Sequence, residues 1–158
     1  MRLFSNAYDD TTTPSRSAPP AYRRNHMQRL HDIGAHPLEE FSHNEDLFDL
    51  AQHHLRLALE GVFHIGSHLL SRLPGARITS YKEIALALGA YGIVDRSFAE
   101  TALVKMAGFR TRLTHFYHEI KPAELYEIIR QDLGDIEQFL HAARRVMENP
   151  AAYHLTIE

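Results

Sequence analysis

Asn44-Glu-Asp-Leu-Phe-Asp-Leu-Ala-Gln-His-His-Leu-Arg-Leu-Ala-Leu-Glu60-Gly-Val-Phe-His-Ile-Gly-Ser-His-Leu-Leu70 is the segment from which the architecture follows. Asn44 is a good helix N-cap, because its side-chain oxygen can accept an otherwise orphaned backbone N–H. Glu45 and Asp46 then fall in the first turn, where negative charge is favoured by the helix dipole. Beyond them Leu47, Leu50, Ala51, Leu55, Ala58, Leu59, Val62, Ile65, Leu69 and Leu70 recur at helical spacing until Pro74-Gly75 stops the run. The apolar stripe is wide, which predicts a central helix with neighbours on two sides.

Working outward, Ser80 with Glu83 forms a capping box ahead of Ile84, Ala85 and Leu88, and Gly89 ends that short helix, with a further turn at Gly92. The next helix begins at Asp95 or Ser97, the latter forming a second capping box with Glu100, and its seam is Ala102, Met106, Phe109, Leu113 and Phe116. Pro122 suits the first turn of a final helix, since its missing N–H costs nothing there. That helix is expected to run through Leu125, Ile128, Ile129, Leu133, Ile136, Phe139, Leu140 and Ala143 to a stop before Pro150, weakened locally by Gly134. On the N-terminal side, residues 22–33 read as a short, weak, basic helix carrying Arg23, Arg24, His26, Arg29 and His31, ending near Gly34 with Pro37 beyond.

Residues 1–21 are rich in Thr, Ser and Pro and poor in aliphatics, the composition of a disordered tail. No segment shows sustained period-two alternation with β-branched enrichment, so no sheet is expected. The fold class is therefore all-α: an antiparallel four- to five-helix bundle over residues 22–150, with a C-terminal tail at 151–158.

Composition narrows the function. At 158 residues the chain suits one domain with its own core. A formal net charge of −3 supplies no global attraction for nucleic acid, so any such contact must use a local basic patch. The absence of cysteine removes disulfides, thiol nucleophiles and thiolate metal sites, and fits a reducing cytoplasm. No secretory signal is recognised at the N-terminus, and no apolar run approaches the roughly 20 residues that span a bilayer.

The chemistry concentrates in Met106-Ala-Gly-Phe-Arg110-Thr-Arg-Leu-Thr-His115-Phe-Tyr117, which contains R-x4-H-x-Y. Arginine is a permanent, forked cation that suits phosphate, and histidine moves protons near neutral pH. At about 100° per residue, Arg110 and Tyr117 share nearly one helical face, whereas His115 is offset from Arg110 by roughly 140°. Either the Arg side chain reaches around, or the helix tightens or ends near His115, or Arg and His from two chains meet across a symmetry axis. Residues preceding Pro122 avoid helical angles, which makes an ending between Tyr117 and Lys121 natural. Taken alone, the same residues also suit an ordinary helix C-terminus, where a histidinium stabilises the dipole.

Twelve histidines invite a rival reading. His64 and His68 at i, i+4 have a spacing that can hold zinc, and His115 and His118 at i, i+3 could chelate. No H-E-x-x-H occurs, and His53 and His54 point to different faces. His64 and His68 lie within or beside the apolar stripe and read better as packed, hydrogen-bonded histidines, so no metal site is assigned. Tyr81, Tyr91 and Tyr126 read as half-buried packing residues.

The segment from Met106 to Tyr117, continued by His118-Glu-Ile-Lys-Pro-Ala-Glu-Leu-Tyr-Glu-Ile-Ile129, resembles the signature of the HepT-like ribonuclease toxins of the HEPN superfamily. Asp49-Leu-Ala-Gln-His-His-Leu-Arg-Leu-Ala-Leu-Glu60 resembles that family's second helix. The resemblance covers about residues 45–145. It departs in the short, proline-interrupted first helix and at His64, where relatives often carry an acidic residue; residues 1–20 match nothing in the family.

The resemblance implies a metal-independent endoribonuclease without cofactor, acting as a homodimer with its cleft at the interface. It also implies a partner, a minimal nucleotidyltransferase antitoxin that can transfer AMP to the motif tyrosine. Carried over by position, Arg110 and His115 would be catalytic and Tyr117 the modified residue. The residues permit that chemistry. RNA brings its own nucleophile in the 2′-OH. His115 can take that proton or protonate the leaving oxygen, and Arg110 can fork onto the phosphate. Lys105 and Arg112 can widen the positive patch for RNA, although each alone also reads as a solvated surface charge. A non-catalytic helical module that binds RNA or a nucleotidyltransferase is the alternative.

Overall fold

The computed structural model describes residues 19–75 and 78–155, with side chains from residue 26 onward. Among the described residues there is no strand, and the chain forms seven helices: α1 (Pro19–Gly34), α2 (Leu38–His43), α3 (Glu45–Leu70), α4 (Tyr81–Ala90), α5 (Val104–His115), α6 (Pro122–Gln131) and α7 (Leu133–Glu148). The tail expected over residues 1–21 lies, up to residue 18, outside the described residues, and α1 already begins at Pro19.

α3 is the axis of the bundle and touches all six other helices. The Asn44 side chain caps it, accepting from the Leu47 N–H at 3.2 Å. Its buried stripe is as wide as the spacing predicts: Ala51, Leu55, Leu59, Val62, Ile65, Leu69 and Leu70 are all inside, joined by Leu57 and Phe63. Leu47 and Ala58 are half-buried, and Leu50 stays exposed.

The Ser80 cap of α4 holds, with Glu83 N–H donating to Ser80 Oγ at 3.2 Å. The Glu83 carboxylate reaches back one residue further than a capping box requires, accepting from the Thr79 N–H at 2.8 Å and from the Thr79 hydroxyl at 2.9 Å. Those bonds hold it below its ordinary pKa. Gly89 lets the next segment cross closely, because a Cβ there would stand 2.6 Å from Ala99 Cβ. Gly92 takes φ +73°, a left-handed turn that favours glycine.

The helix carrying the motif starts at Asp95, whose carboxylate accepts from the Phe98 N–H at 3.4 Å. The Ser97–Glu100 box does not form: Ser97 lies inside the first turn, and its carbonyl accepts from the Thr101 hydroxyl at 2.7 Å. A π turn at Ala99–Leu103 precedes α5, burying Ala99 and Leu103 completely. One extra residue per turn shifts the seam, so Ala102 is only partly buried while Ala107 joins Met106, Phe109 and Leu113 inside. Phe116, expected in that seam, is 47% exposed because the helix has already ended.

Pro122 opens α6 as predicted, but the final helix is two. Asp132, at φ −103° and ψ −3°, breaks it between α6 and α7, two residues before the weak point expected at Gly134. The apolar period runs unbroken across the join, which is why the sequence pattern conceals it. α2 was also not foreseen. It is six residues long and is anchored by the fully buried Phe41, whose ring lies 5.4 Å from Tyr126 and 6.2 Å from Phe48. α6 ties down the end of α1: Arg130 donates to the Gly34 carbonyl at 3.0 Å and Tyr126 Oη to the His36 carbonyl at 2.8 Å. At the other end, a 3-10 turn at Pro150–Tyr153 leaves Tyr153 and Leu155 packed against the core.

Candidate active site at the end of α5

α3 and α5 run antiparallel along a polar seam. Gln52, Arg56 and Glu60 form one row on α3, each one turn from the next. At one end Gln52 Nε2 donates to the Tyr117 carbonyl at 3.2 Å. At the other, Arg110 Nη2 approaches Glu60 Oε1 at 3.5 Å. The row therefore spans the whole R-x4-H-x-Y motif.

Arg110 is the best-held member. Its side chain is 14% exposed, and its guanidinium lies 4.3 Å from the centre of the Tyr81 ring, a cation–π stack. Tyr81 itself rests on Phe63, ring centres 5.3 Å apart. Glu60 is buried, with a side chain 8% exposed, and also accepts from Arg56 Nη1 at 3.0 Å. Arg110 Nε is buried without a hydrogen-bond acceptor. The guanidinium is thus fixed in plane and only partly satisfied.

His115 is the last residue of α5 and is exposed. The chain leaves the helix at Phe116, φ −131° and ψ 31°, and tightens into a 3-10 turn at Tyr117–Glu119. α5 does end at His115, yet His115 is its last helical residue, so its offset from Arg110 is not closed within the chain. Tyr117 opens the turn with a side chain directed outward, the residue being 58% exposed. Its ring meets His118 edge-on at 5.8 Å. Among the described residues no hydrogen bond joins Arg110, His115 and Tyr117 to one another; Arg110 and the Tyr117 backbone meet the same row of α3, through Glu60 and Gln52.

Lys105 and Arg112 both have acidic partners. Lys105 Nζ lies 3.2 Å from Asp132, and the lysine is 70% exposed. Arg112 forks onto Glu124, with a second contact at 3.1 Å, and sits over the Phe109 ring at 5.4 Å. Arg112 holds the Glu124 carboxyl below its usual range. Lys105 is also ten residues from His115, about 15 Å along the helix.

Sequence reasoning missed two residues. Glu60 enters only as the last residue of the stretch that resembles the family's second helix, and Tyr81 only as packing. The acid brought to Arg110 is Glu60, one turn before His64. The signal for Glu60 was present: a carboxylate between Leu59 and Val62, on a buried stripe, needs a cation. The histidines also differ from expectation. His64 and His68 are exposed rather than packed, whereas His54 is buried and its Nδ1 lies 2.8 Å from His26 Nδ1. Among the described residues no group of three or more His, Asp or Glu side chains is placed to share a metal ion. No helix among them is long and apolar enough to cross a membrane.

A crystal structure described as a toxin-antitoxin with AMP-PNP superposes with a TM-score of 0.71 at 18% identity, covering 79% of this chain and 93% of that one; at such identity the likeness shows the fold. Comparison with curated proteins gives no significant match. The model of the ribonuclease HepT-like family matches residues 24–143, which include every residue of the α3–α5 seam and most of the bundle. By that match this chain belongs to the HepT-like ribonuclease family.

Proposed function

We propose that this protein is the toxin of a toxin–antitoxin pair, a metal-independent endoribonuclease acting in the cytoplasm as a homodimer. The observation that carries the reading is Arg110. It is a guanidinium stacked on Tyr81 and steered by buried Glu60, five residues before His115 and seven before Tyr117, both of them exposed. Preorganised donors of this kind do most for charge that develops in a transition state.

The reaction needs little else. His115 takes the proton from a ribose 2′-OH, the 2′-oxygen bonds to phosphorus, and the P–O5′ bond breaks. The product strand ends in a 2′,3′-cyclic phosphate, and the departing 5′-oxygen takes a proton. A histidine of a second copy serves as that acid, which makes the dimer part of the site. Arg110 binds the non-bridging phosphate oxygens throughout. Lys105 and Arg112 flank the path of the strand, with Arg112 exchanging Glu124 for phosphate when RNA is bound.

The partner is a minimal nucleotidyltransferase antitoxin. It transfers AMP from ATP to the Tyr117 hydroxyl, releasing pyrophosphate. The exposed position of Tyr117 in a turn supports access by a second enzyme. An added AMP places negative charge and bulk where RNA phosphate must lie. The matching structure, whose description names a toxin-antitoxin with AMP-PNP, fits such a pairing.

The decisive experiment incubates purified protein with tRNA and total RNA, with and without EDTA, beside His115→Ala. Cleavage that survives EDTA and vanishes in the variant is expected. Loss of cleavage on chelation would favour a metal-dependent mechanism. Light scattering at micromolar concentration tests assembly, since a monomer that still cuts RNA removes the two-copy site. Co-expression with a nucleotidyltransferase, read by intact mass, should add AMP to the Tyr117 peptide, and Tyr117→Phe should escape it.

A further inference from the structure

Arg56 has no role in the R-x4-H-x-Y motif, yet the fold brings it to the same carboxylate oxygen as Arg110. Arg56 Nη1 is 3.0 Å and Arg110 Nη2 3.5 Å from Glu60 Oε1. Two guanidinium groups within reach of one oxygen are near enough to share one phosphate. The antiparallel seam also fixes the level of Arg56. Gln52 meets Tyr117 and Glu60 meets Arg110, so Arg56, midway between them on α3, stands opposite the stretch that separates Arg110 from the His115–Tyr117 end.

The charge balance singles out the same place. Two arginines and one carboxylate leave one positive charge uncompensated in a partly buried cluster. A charge held there without a counterion is costly, and one arginine would be enough to neutralise Glu60. The excess is a seat for an anion. Arg110 Nε, buried without an acceptor, points the same way. Arg56 is also the more open of the two, 31% exposed against 14% for Arg110, so it can turn toward a ligand while Arg110 stays on Tyr81.

We infer that Arg56 is a second phosphate ligand of this site, paired with Arg110 through Glu60 and directed at a phosphodiester of single-stranded RNA. The inference rests on the ribonuclease reading above. Arg56 carries the site's grip across the gap that the helical offset opens between Arg110 and His115.

A structural role predicts a different outcome, and the test separates them. Cleavage of an RNA oligonucleotide, and binding of its 2′-O-methyl counterpart across a salt series, are measured for wild type, Arg56→Met, Glu60→Gln and the double variant Arg56→Met/Glu60→Gln. Arg144→Met removes an equal charge from the far face of α7 as a control. Cleavage by Arg56→Met should fall on the order of 100-fold. Its binding should weaken with a salt slope smaller by about 0.7, one phosphate contact on single-stranded RNA. Crucially, Glu60→Gln should not restore it, because the missing partner is the phosphate. Arg56→Lys, which keeps charge but loses the fork, should recover binding more than cleavage. If the double variant cuts as well as Glu60→Gln alone, Arg56 only neutralises Glu60 and the inference fails, while the ribonuclease reading stands. Wild type that neither binds nor cuts RNA overturns both.

Discussion

α3 carries two buried polar clusters on roughly opposite faces, and they solve one problem in opposite ways. Toward α5, the Glu60 carboxylate lies between Arg56 and Arg110, and charge is set against charge. Toward α1, His54 faces His26, and burial first, then the neighbouring histidines, lowers His26 from 6.5 to about 4. His54 is lowered likewise, by burial, then by His53 and Arg29. That pair is therefore neutral at physiological pH. The ionic cluster sets two arginines against one carboxylate and so is equipped for an anion. The imidazole pair is a packing element whose charge is suppressed. Burial of polar groups alone does not mark a site; uncompensated charge at an accessible edge does.

The largest expected contrast is in activity. Arg110→Ala should reduce RNA cleavage by about 10³-fold with the helical content of the protein preserved, since Glu60 retains Arg56. The replacement His26→Leu/His54→Leu should leave cleavage at pH 7 within about twofold, because the two clusters lie toward different helices, α1 and α5. Equal losses from both, measured as initial rates on one RNA oligonucleotide, would erase the functional distinction between the faces.

How far this distinction was legible in the sequence depends on periodicity. The wide stripe of α3, the Asn44 and Ser80 caps, Asp95 as a start and Pro122 as another are local rules, and they hold. The motif's place at a helix end was readable from Pro122. Long-range pairing was not. Nothing near Glu60 says that α5 will bring Arg110 to it, or that α4 will lay Tyr81 beneath that guanidinium. The π turn at Ala99–Leu103 has no local signature either, and it rephases α5 so that Phe116 misses the core. His54 and His64 look alike in sequence, and only the position of α1 decides which is buried. The break at Asp132 hides within an unbroken apolar period.

Stability offers the next test. Glu60→Leu strands two guanidinium groups against each other and should cost about 3 kcal/mol in chemical denaturation at pH 7. His26→Leu/His54→Leu replaces two neutral rings by apolar side chains of similar volume, and should cost less than about 1.5 kcal/mol. If the order reverses, the imidazole pair is the stronger structural element and the ionic cluster is held by its surroundings.

The response to acid should separate the faces by a smaller amount. The 2.8 Å contact between His26 and His54 needs one ring nitrogen to donate and the other to accept, which two protonated rings cannot do. A histidine whose folded pKa is depressed binds protons more readily when unfolded. Its stability contribution is therefore intact above the unfolded value of 6.5 and declines as pH falls toward about 4. Wild type should lose about 1–3 kcal/mol across that interval, and His26→Leu/His54→Leu should flatten the profile. An unchanged slope in the double variant would assign the acid response to other groups.

The smallest effect belongs to the exposed pair Lys105–Asp132, and its pH dependence runs the other way. Burial, then Asp132, raises the Asp135 carboxyl, and Lys105 opposes that rise. A carboxyl raised in the folded state costs stability once pH exceeds its unfolded value, so removing Lys105 deepens a penalty that exists only when the acids are ionised. Lys105→Ala should therefore cost less than about 1 kcal/mol near pH 7, as solvent-exposed pairs do, and nothing near pH 3. As Lys105 stands about 15 Å along α5 from His115, its effect on RNA binding should be a uniform loss across sequences, smaller than that of Arg56→Met. Denaturation at the two pH values and binding of the 2′-O-methyl oligonucleotide measure both. A Lys105→Ala loss as large as that of Arg56→Met would move the phosphate grip away from the α3–α5 seam and toward the start of α5.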